Sequence, residues 1–219
     1  MRKIYDISLP LSNRMWSYRA EWKNSINIFE STSNGGQSTV YEMKLFSHTG
    51  SYIETSQHKL VNDLILNTLP IESFYRKVKV IVTDEKKKIT KKKVLEIATS
   101  ENLLPEAGDA FIIANGYGIN HANDTYLSES PYFEEELTEW LINSEIGLLG
   151  VDTPIIENLE APYKPVIKLF EANPKLLLLA PLLIDSAIIK SGIYTLSCLP
   201  LNVEATSGML CRPILISEQ

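Results

Sequence analysis

Short apolar runs, each stopped by a polar or turn residue, recur along this chain: "VKVIVTD" (78–84), "GDAFIIANG" (108–116) and "IGLLGVDTP" (146–154). Runs of this length and hydrophobicity fit strands buried in a sheet. Between them lie segments of helical period. "ITKKKVLEIATSENL" reads as a helix with Thr90 as N-cap. "YFEEELTEWLIN" (132–143) places Phe133, Leu137, Trp140 and Leu141 at spacings of three and four, with glutamates toward the positive end of the helix dipole. "KPVIKLF" reads as a short helix, and "YTLSCLPL" and "CRPILIS" as closing strands. "KIYDISLPL" alternates as an opening strand, and "STVYEMKLFSH" (38–48), after the turn signal "NGGQ", as a strand that delivers His48 at its end. Interleaved strands and helices make this an α/β chain: a single domain over 1–219 with a mixed β-sheet flanked by helices.

Several function classes drop out on composition. The 27 acidic and 21 basic residues leave a formal charge of −6, unlike the basic face of a nucleic-acid binder. The one basic cluster, "EKKKITKKK" (85–93), reads as a solvated turn and a first helical turn. The longest apolar run, "LLLLAPLLI" (176–184), is interrupted by Pro181 and too short to span a bilayer, so it belongs to the core. The opening residues carry no apolar stretch of signal-peptide length, and Cys198 and Cys211 read as reduced, buried thiols, with a disulfide between them left open. The expected setting is the cytoplasm, with a small-molecule substrate and no nucleic-acid or membrane partner.

The chain has three histidines, and two of them close the segment "HTGSYIETSQH" (48–58). Histidine moves protons near neutral pH, and a neighbouring carboxylate orients it and stabilises its charged form. His48 and His58 as acid or base, Glu54 as orienting or second acid–base group and Tyr52 as hydrogen-bond donor make a metal-free catalytic set. The aromatic segment "NRMWSYRAEW" (13–22) offers Trp16, Tyr18 and Trp22 as pocket walls. A plainer reading also stands: the histidines held by backbone hydrogen bonds, and Glu54 paired with Arg212 or a lysine. His121 reads as a loop histidine and Asp152 as a turn cap.

Taken together, these segments resemble the cyclase family of metal-dependent hydrolases, which includes kynurenine formamidases and isatin hydrolases. "YDISLPLSNRMWSY" is similar to the family's opening D-[IL]-[ST]-x-P-[IL] segment, and "HTGSYIETSQH" stands where the family has H-x-G-T-H-x-D-x-P-x-H. "FIIANGYG" resembles the strand ending in R-T-G-W, "IGLLGVDTP" the G-I-D-T strand, and "YTLSCLPLNVEATSGMLCRPILI" the terminal A-L-P-L and D-G-S-P-x-R segments.

The resemblance implies a cyclase-like fold, homodimers or homotetramers, and an enzyme acting on a small cyclic, amide or lactone-like molecule. It places His48 at the first metal ligand, Tyr52 at the second histidine, Glu54 at the aspartate, and His58 at a closing histidine with a catalytic role. Ser51 stands for the threonine and Tyr117 for the tryptophan, giving both as substrate-binding candidates beside Trp16 and Tyr18. The distal ligand positions fall on Val166 and Ala180, which offer no donor. A catalytic zinc site draws on three protein ligands. With only His48 and Glu54 in the family's ligand pattern, the expectation is no cofactor, or zinc or manganese if Glu171 or Asp185 completes the set. A conventional metal-dependent hydrolase and a non-catalytic binding or scaffold protein are the alternatives.

Overall fold

The computed structural model describes residues 2–19 and 21–217; residue 20, within the aromatic segment 13–22, lies outside it. In chain order its strands are β1 (Lys3–Asp6), β2 (Ser25–Glu30), β3 (Val40–Lys44), β4 (Tyr52–Glu54), β5 (Tyr75–Val82), β6 (Lys88–Ile89) and β7 (Ala110–Ala114), followed by β8 (Tyr132–Phe133), β9 (Leu148–Val151), β10 (Leu177–Ala180), β11 (Gly192–Ser197), β12 (Gly208–Leu210) and β13 (Ile214–Ser217). Three helices intervene: α1 (Lys91–Ser100), α2 (Glu135–Asn143) and α3 (Pro165–Ala172).

Nine strands form one mixed sheet in the order β1-β13-β11-β5-β7-β9-β10-β4-β12. The centre, β5-β7-β9-β10, is parallel, and antiparallel strands complete both sides. Every residue of β7, β9 and β10 is buried, which explains why these segments read as continuous apolar runs rather than alternating ones. Alternate side chains serve two cores. Ile112, Leu148, Leu177 and Leu179 join Ile7, Ile53 and Leu182 on one face. Phe111, Ile113, Leu149 and Leu178 meet the three helices on the other, through Val94, Leu137, Leu141, Leu169 and Phe170.

The helix ends follow from local chemistry. The Thr90 side chain accepts a hydrogen bond from the Lys93 amide at the start of α1, while Glu85 accepts from both the amide and the hydroxyl of Thr90. Lys88 pairs with Glu134 and Lys93 with Asp84; between the turn and the first helical turn that the sequence suggested, the segment adds the short strand β6, whose Ile89 is buried. Glu135 and Glu136 open α2, and Pro165 occupies the first turn of α3, where its missing N–H costs nothing.

Two expectations need correction. Residues 38–48 do not run as one strand to His48: β3 ends at Lys44 and pairs with β2 in a separate two-stranded ribbon, and His48 lies in the turn beyond. The second strand of that ribbon, β2, had no clear signal. The helix read over 132–143 begins only at Glu135, because Tyr132 and Phe133 form β8 against β6; the thiols of Cys198 and Cys211 are free, in keeping with the preferred reading. No helix among the described residues is long and apolar enough to cross a membrane.

Candidate active site

The short strand β4 organises the site. It is wedged between β10 and β12, with Glu54 opposite Leu178 on one side and Gly208 on the other. A tight 3₁₀ turn, Ser56–His58, follows it. Side chains tie this turn down: Thr55 Oγ1 donates to the Leu64 carbonyl at 2.6 Å, and Ser56 Oγ to the Pro174 carbonyl at 2.6 Å. The turn brings His58 back over Glu54, four residues earlier, with Nε2 3.8 Å from the carboxylate.

His48 arrives from the other side. Its Nε2 lies 3.0 Å from Glu54 Oε2, and its ring lies 3.9 Å from that of His58 and 4.8 Å, edge-on, from that of Tyr52. Ser47 Oγ is 2.9 Å from His48 Nδ1, a contact that orients the ring. Space for the imidazole exists because Gly208 has no side chain; a Cβ there would stand 2.6 Å from His48 Nε2.

One nitrogen from each histidine and one oxygen from Glu54 therefore converge within 4.8 Å of one another. This revises the donor count. His58, outside the family's ligand pattern, joins the group through the 3₁₀ turn, making three donors where two were expected. Neither of the carboxylates expected to supplement them does so. Glu171 pairs with Lys168 on the exposed side of α3, and Asp185 accepts from the amide of Ala187. Val166 and Ala180 do line the same cavity, with apolar side chains.

Two further observations bear on a cation. His48 Nε2 and Glu54 Oε2 are buried and make no hydrogen bond, although they lie 3.0 Å apart, within ion-pair distance. A buried polar atom without a partner is costly, and a shared positive ion satisfies both. Burial pushes His58 down to about 4, against the pull of Glu54, so its imidazole is neutral at physiological pH. A neutral nitrogen is the ligand form. Two imidazoles and a carboxylate thus fit the donor set of a zinc or manganese ion. Tyr52, beside them, is pushed well above its usual range by burial and by Glu54, and stays protonated as a hydrogen-bond donor.

A cavity of about 280 Å³ opens over this group. Trp16, Tyr18 and Trp22 form an aromatic wall, as the sequence suggested; Ile155, Val166 and Ala180 supply apolar surface elsewhere. Trp22 stacks on Phe46 at 6.0 Å and carries the Arg19 guanidinium over its ring at 5.1 Å. Arg19, Lys59 and Glu157 also line the cavity, none of them marked by any sequence signal.

Two expected substrate contacts fall elsewhere. Ser51 is buried in the scaffold, accepting from the Leu9 amide at 2.9 Å and donating to the Pro181 carbonyl at 2.6 Å. Tyr117 stacks on Tyr126, which packs against Trp16, and its hydroxyl donates to the Tyr126 carbonyl. It supports the wall from behind. Glu54 does not pair with Arg212, which binds Asp6 at 2.7 Å. His121 contacts the Gly118 carbonyl in its own loop. Asp152 does cap a turn, but across the sheet: its carboxylate accepts from the amides of Asn115 and Gly116 at the end of β7. Burial raises Asp152 to about 7 against those hydrogen bonds.

Comparison with known proteins agrees with the fold. A family model described as putative cyclase matches residues 5–158. A kynurenine formamidase of Bacillus mycoides (strain KBAB4) is 23% identical over 216 residues, covering 96% of this chain and 95% of the relative. Among solved structures, one described as a predicted metal-dependent hydrolase from Bacillus stearothermophilus aligns with a TM-score of 0.80 at 20% identity, covering 100% of both chains. Isatin hydrolase A from Ralstonia solanacearum aligns with a TM-score of 0.83 at 16% identity, covering 99% of this chain and 92% of its own.

Proposed function

Because the chain belongs to the cyclase family, we propose that it hydrolyses a small cyclic, amide or lactone-like molecule over the His48–Glu54–His58 group, with a divalent cation, zinc or manganese, held there. The observation that carries this reading is the convergence of three donor atoms, two of them buried and otherwise unpartnered, beneath an aromatic-walled cavity. The formamidase and isatin hydrolases among the similar proteins, and the neighbours described as metal-dependent hydrolases, support both the substrate class and the metal.

When bound, such a cation supplies Lewis-acid activation of the scissile carbonyl and of water. The protein's own groups do the rest. His58 presents a neutral nitrogen, His48 presents its Nε2, and Glu54 presents a carboxylate oxygen. Ser47 holds the His48 ring in orientation. Tyr52 stays protonated and is placed to donate a hydrogen bond to a carbonyl or leaving-group oxygen. The aromatic wall orients a ring and excludes water from the reacting bond. We also take the protein to be a homodimer or homotetramer: Ile28, Phe29, Tyr41 and Met43 on the ribbon are exposed, an apolar surface suited to a second copy.

Metal analysis of the purified protein, with hydrolysis of an N-formyl arylamine and of isatin, tests the proposal. About one cation per chain is expected, with activity lost to a chelator and restored by zinc or manganese. Turnover that persists without a cation, yet falls in His58→Ala and Glu54→Ala, would replace it with metal-free acid–base catalysis by the same side chains. A bound cation with no turnover of any amide, lactam or lactone would leave a binding protein. Light scattering reads the oligomeric state.

A further inference from the structure

Behind the cavity lies a carboxylate that the proposed chemistry does not use. Asp152 is fully buried and enters no ion pair with a described residue. Backbone amides hold it instead: Oδ1 accepts from Asn115 at 3.1 Å, and Oδ2 from Gly116 at 2.7 Å. Both amides lead into the short 3₁₀ turn Tyr117–Asn120 that follows β7.

This turn is confined on its far side. A Cβ on Gly118 would collide with the Leu182 carbonyl, and one on Gly116 would stand 2.9 Å from Ser186 Oγ. On its near side the Tyr117 ring lies flat on Tyr126, with 5.3 Å between centroids and 8° between planes. Tyr126 in turn meets Trp16 edge-on at 5.4 Å. Trp16 lines the cavity from an irregular segment. Neither its indole N–H nor the Tyr126 hydroxyl makes a hydrogen bond with a described residue. Packing alone therefore sets where this part of the wall stands, and close-packed rings pass a displacement of the turn on to Trp16.

We infer that Asp152 is a positioning residue for the cavity: its carboxylate ties down the Asn115–Tyr117 turn and, through the Tyr117–Tyr126 stack, fixes the Trp16 wall. This rests on the cavity being the substrate site. The ionised carboxylate has acceptor sites for all of these amides. A proton turns one of its oxygens into a donor facing N–H groups, and the turn loosens. Burial raises Asp152 to about 7, so the two forms exchange near neutral pH. The other ionisable groups nearby are engaged or fixed in charge. Tyr52, Tyr117 and Tyr126 are raised by burial and stay protonated. Lys86 donates to the Asn115 carbonyl and Lys190 to the Ser186 carbonyl. Glu85 and Glu129 accept from Thr90 and Thr125, Glu157 from the Ile156 amide, and Asp185 from the Ala187 amide. His121, in the same loop, contacts the Gly118 carbonyl and is the group to control for.

Fluorine NMR of the intact protein labelled with 5-fluorotryptophan tests this. Its three tryptophans give three lines, assigned by replacing each with Phe. Trp140, packed on Phe111 on the helix side of the sheet, is the internal control. The Trp16 line is expected to move between about pH 5.5 and 8.5 with its midpoint near that of Asp152, while the Trp140 line stays. Asp152→Asn cannot ionise and should hold the Trp16 line at its acidic position throughout. His121→Gln should leave the midpoint unchanged. Tyr117→Leu keeps the carboxylate but removes the stacked ring, and should cut the movement of the Trp16 line by about half or more. A Trp16 line insensitive to pH, a response that survives in Asp152→Asn, or one that vanishes in His121→Gln overturns the inference. So does a full response in Tyr117→Leu, because the wall would then be held by another route. If Asp152→Asn fails to fold, the titration of the native protein and the other two variants still decide. No substrate enters the measurement, so loss of the proposed hydrolysis and loss of this inference are read separately.

Discussion

Two pieces of β structure stand out in this protein, and they are built on opposite terms. In β10 every residue is buried, and the strand is paired on both sides by β9 and β4. In β3 every residue is exposed, and its one partner is β2. An isolated two-stranded ribbon has little stability of its own in water. The residues that meet over the cavity are accordingly fixed from the sheet side. Glu54 belongs to β4, His58 to the turn bonded beneath it, and His48 to the cradle left by Gly208 in β12. The difference teaches that precision at this site comes from strands covered on both faces, while the ribbon leaves its apolar side chains for other use.

The comparison breaks if substitutions in the two regions cost alike. Leu179→Ala in β10 removes a fully buried side chain from the core and should destabilise the protein by about 3 kcal/mol, read by urea unfolding. A cost below about 1 kcal/mol would mean that the sheet centre is loosely packed.

Asp152 sharpens the contrast through pH. Its folded-state value of about 7 lies above the ordinary 3.8, so the folded protein holds a proton there that the unfolded chain has released. The resulting stabilisation is complete below the unfolded value and is lost as pH rises through about 7. Asp152→Asn cannot titrate, so the stability of the native protein relative to this variant should fall by about 2 kcal/mol between pH 5.5 and 8. Parallel unfolding curves across that range would show that Asp152 ionises normally.

At the site itself, Gly208→Ala puts a methyl group against the His48 ring. Cation affinity should drop about tenfold, as for loss of a group that orients a ligand. Competition with a chromophoric chelator measures it, and unchanged affinity would mean that His48 is not held by this cradle. The smallest effect belongs to the ribbon. Tyr41→Ser, at 54% exposure, should change the stability of the isolated chain by no more than about 0.5 kcal/mol. In the oligomer, where a second copy is proposed to cover the ribbon, the same substitution should cost more and the loss should grow with dilution; no added loss would place the second copy elsewhere.

Much of the sheet could be read before any coordinates. "FIIA" and "LLGV" are β7 and β9, "LLLA", read only as core, is β10, and Thr90 caps α1 where its spacing from the apolar residues placed it. The ribbon was harder. "VYEMK" alternates as a strand does, but alternation reports a backbone repeat of two residues and says nothing about whether a face is covered. Of the site, His48, Tyr52, Glu54 and His58 were legible as a group, and Trp16, Tyr18 and Trp22 as a wall. Ser51 and Tyr117 were placed one layer too close to the ligand, since sequence cannot tell the cavity side of a loop from the scaffold side. Arg19, Lys59 and Glu157 look like any other surface charges in the sequence. Gly208 looks like a turn residue, not a cradle for an imidazole.

Sequence by itself determined the kinds of element, the buried strands and the residue types from which a site is assembled. Those depend on neighbours along the chain, and hydrophobic period and capping record them directly. Only the tertiary structure decided that three donors meet rather than two, and that charged side chains from distant segments line one cavity with the aromatic wall. Those facts depend on strand register and on one tight turn, which join residues 48, 54, 58 and 208 through contacts that no local pattern carries.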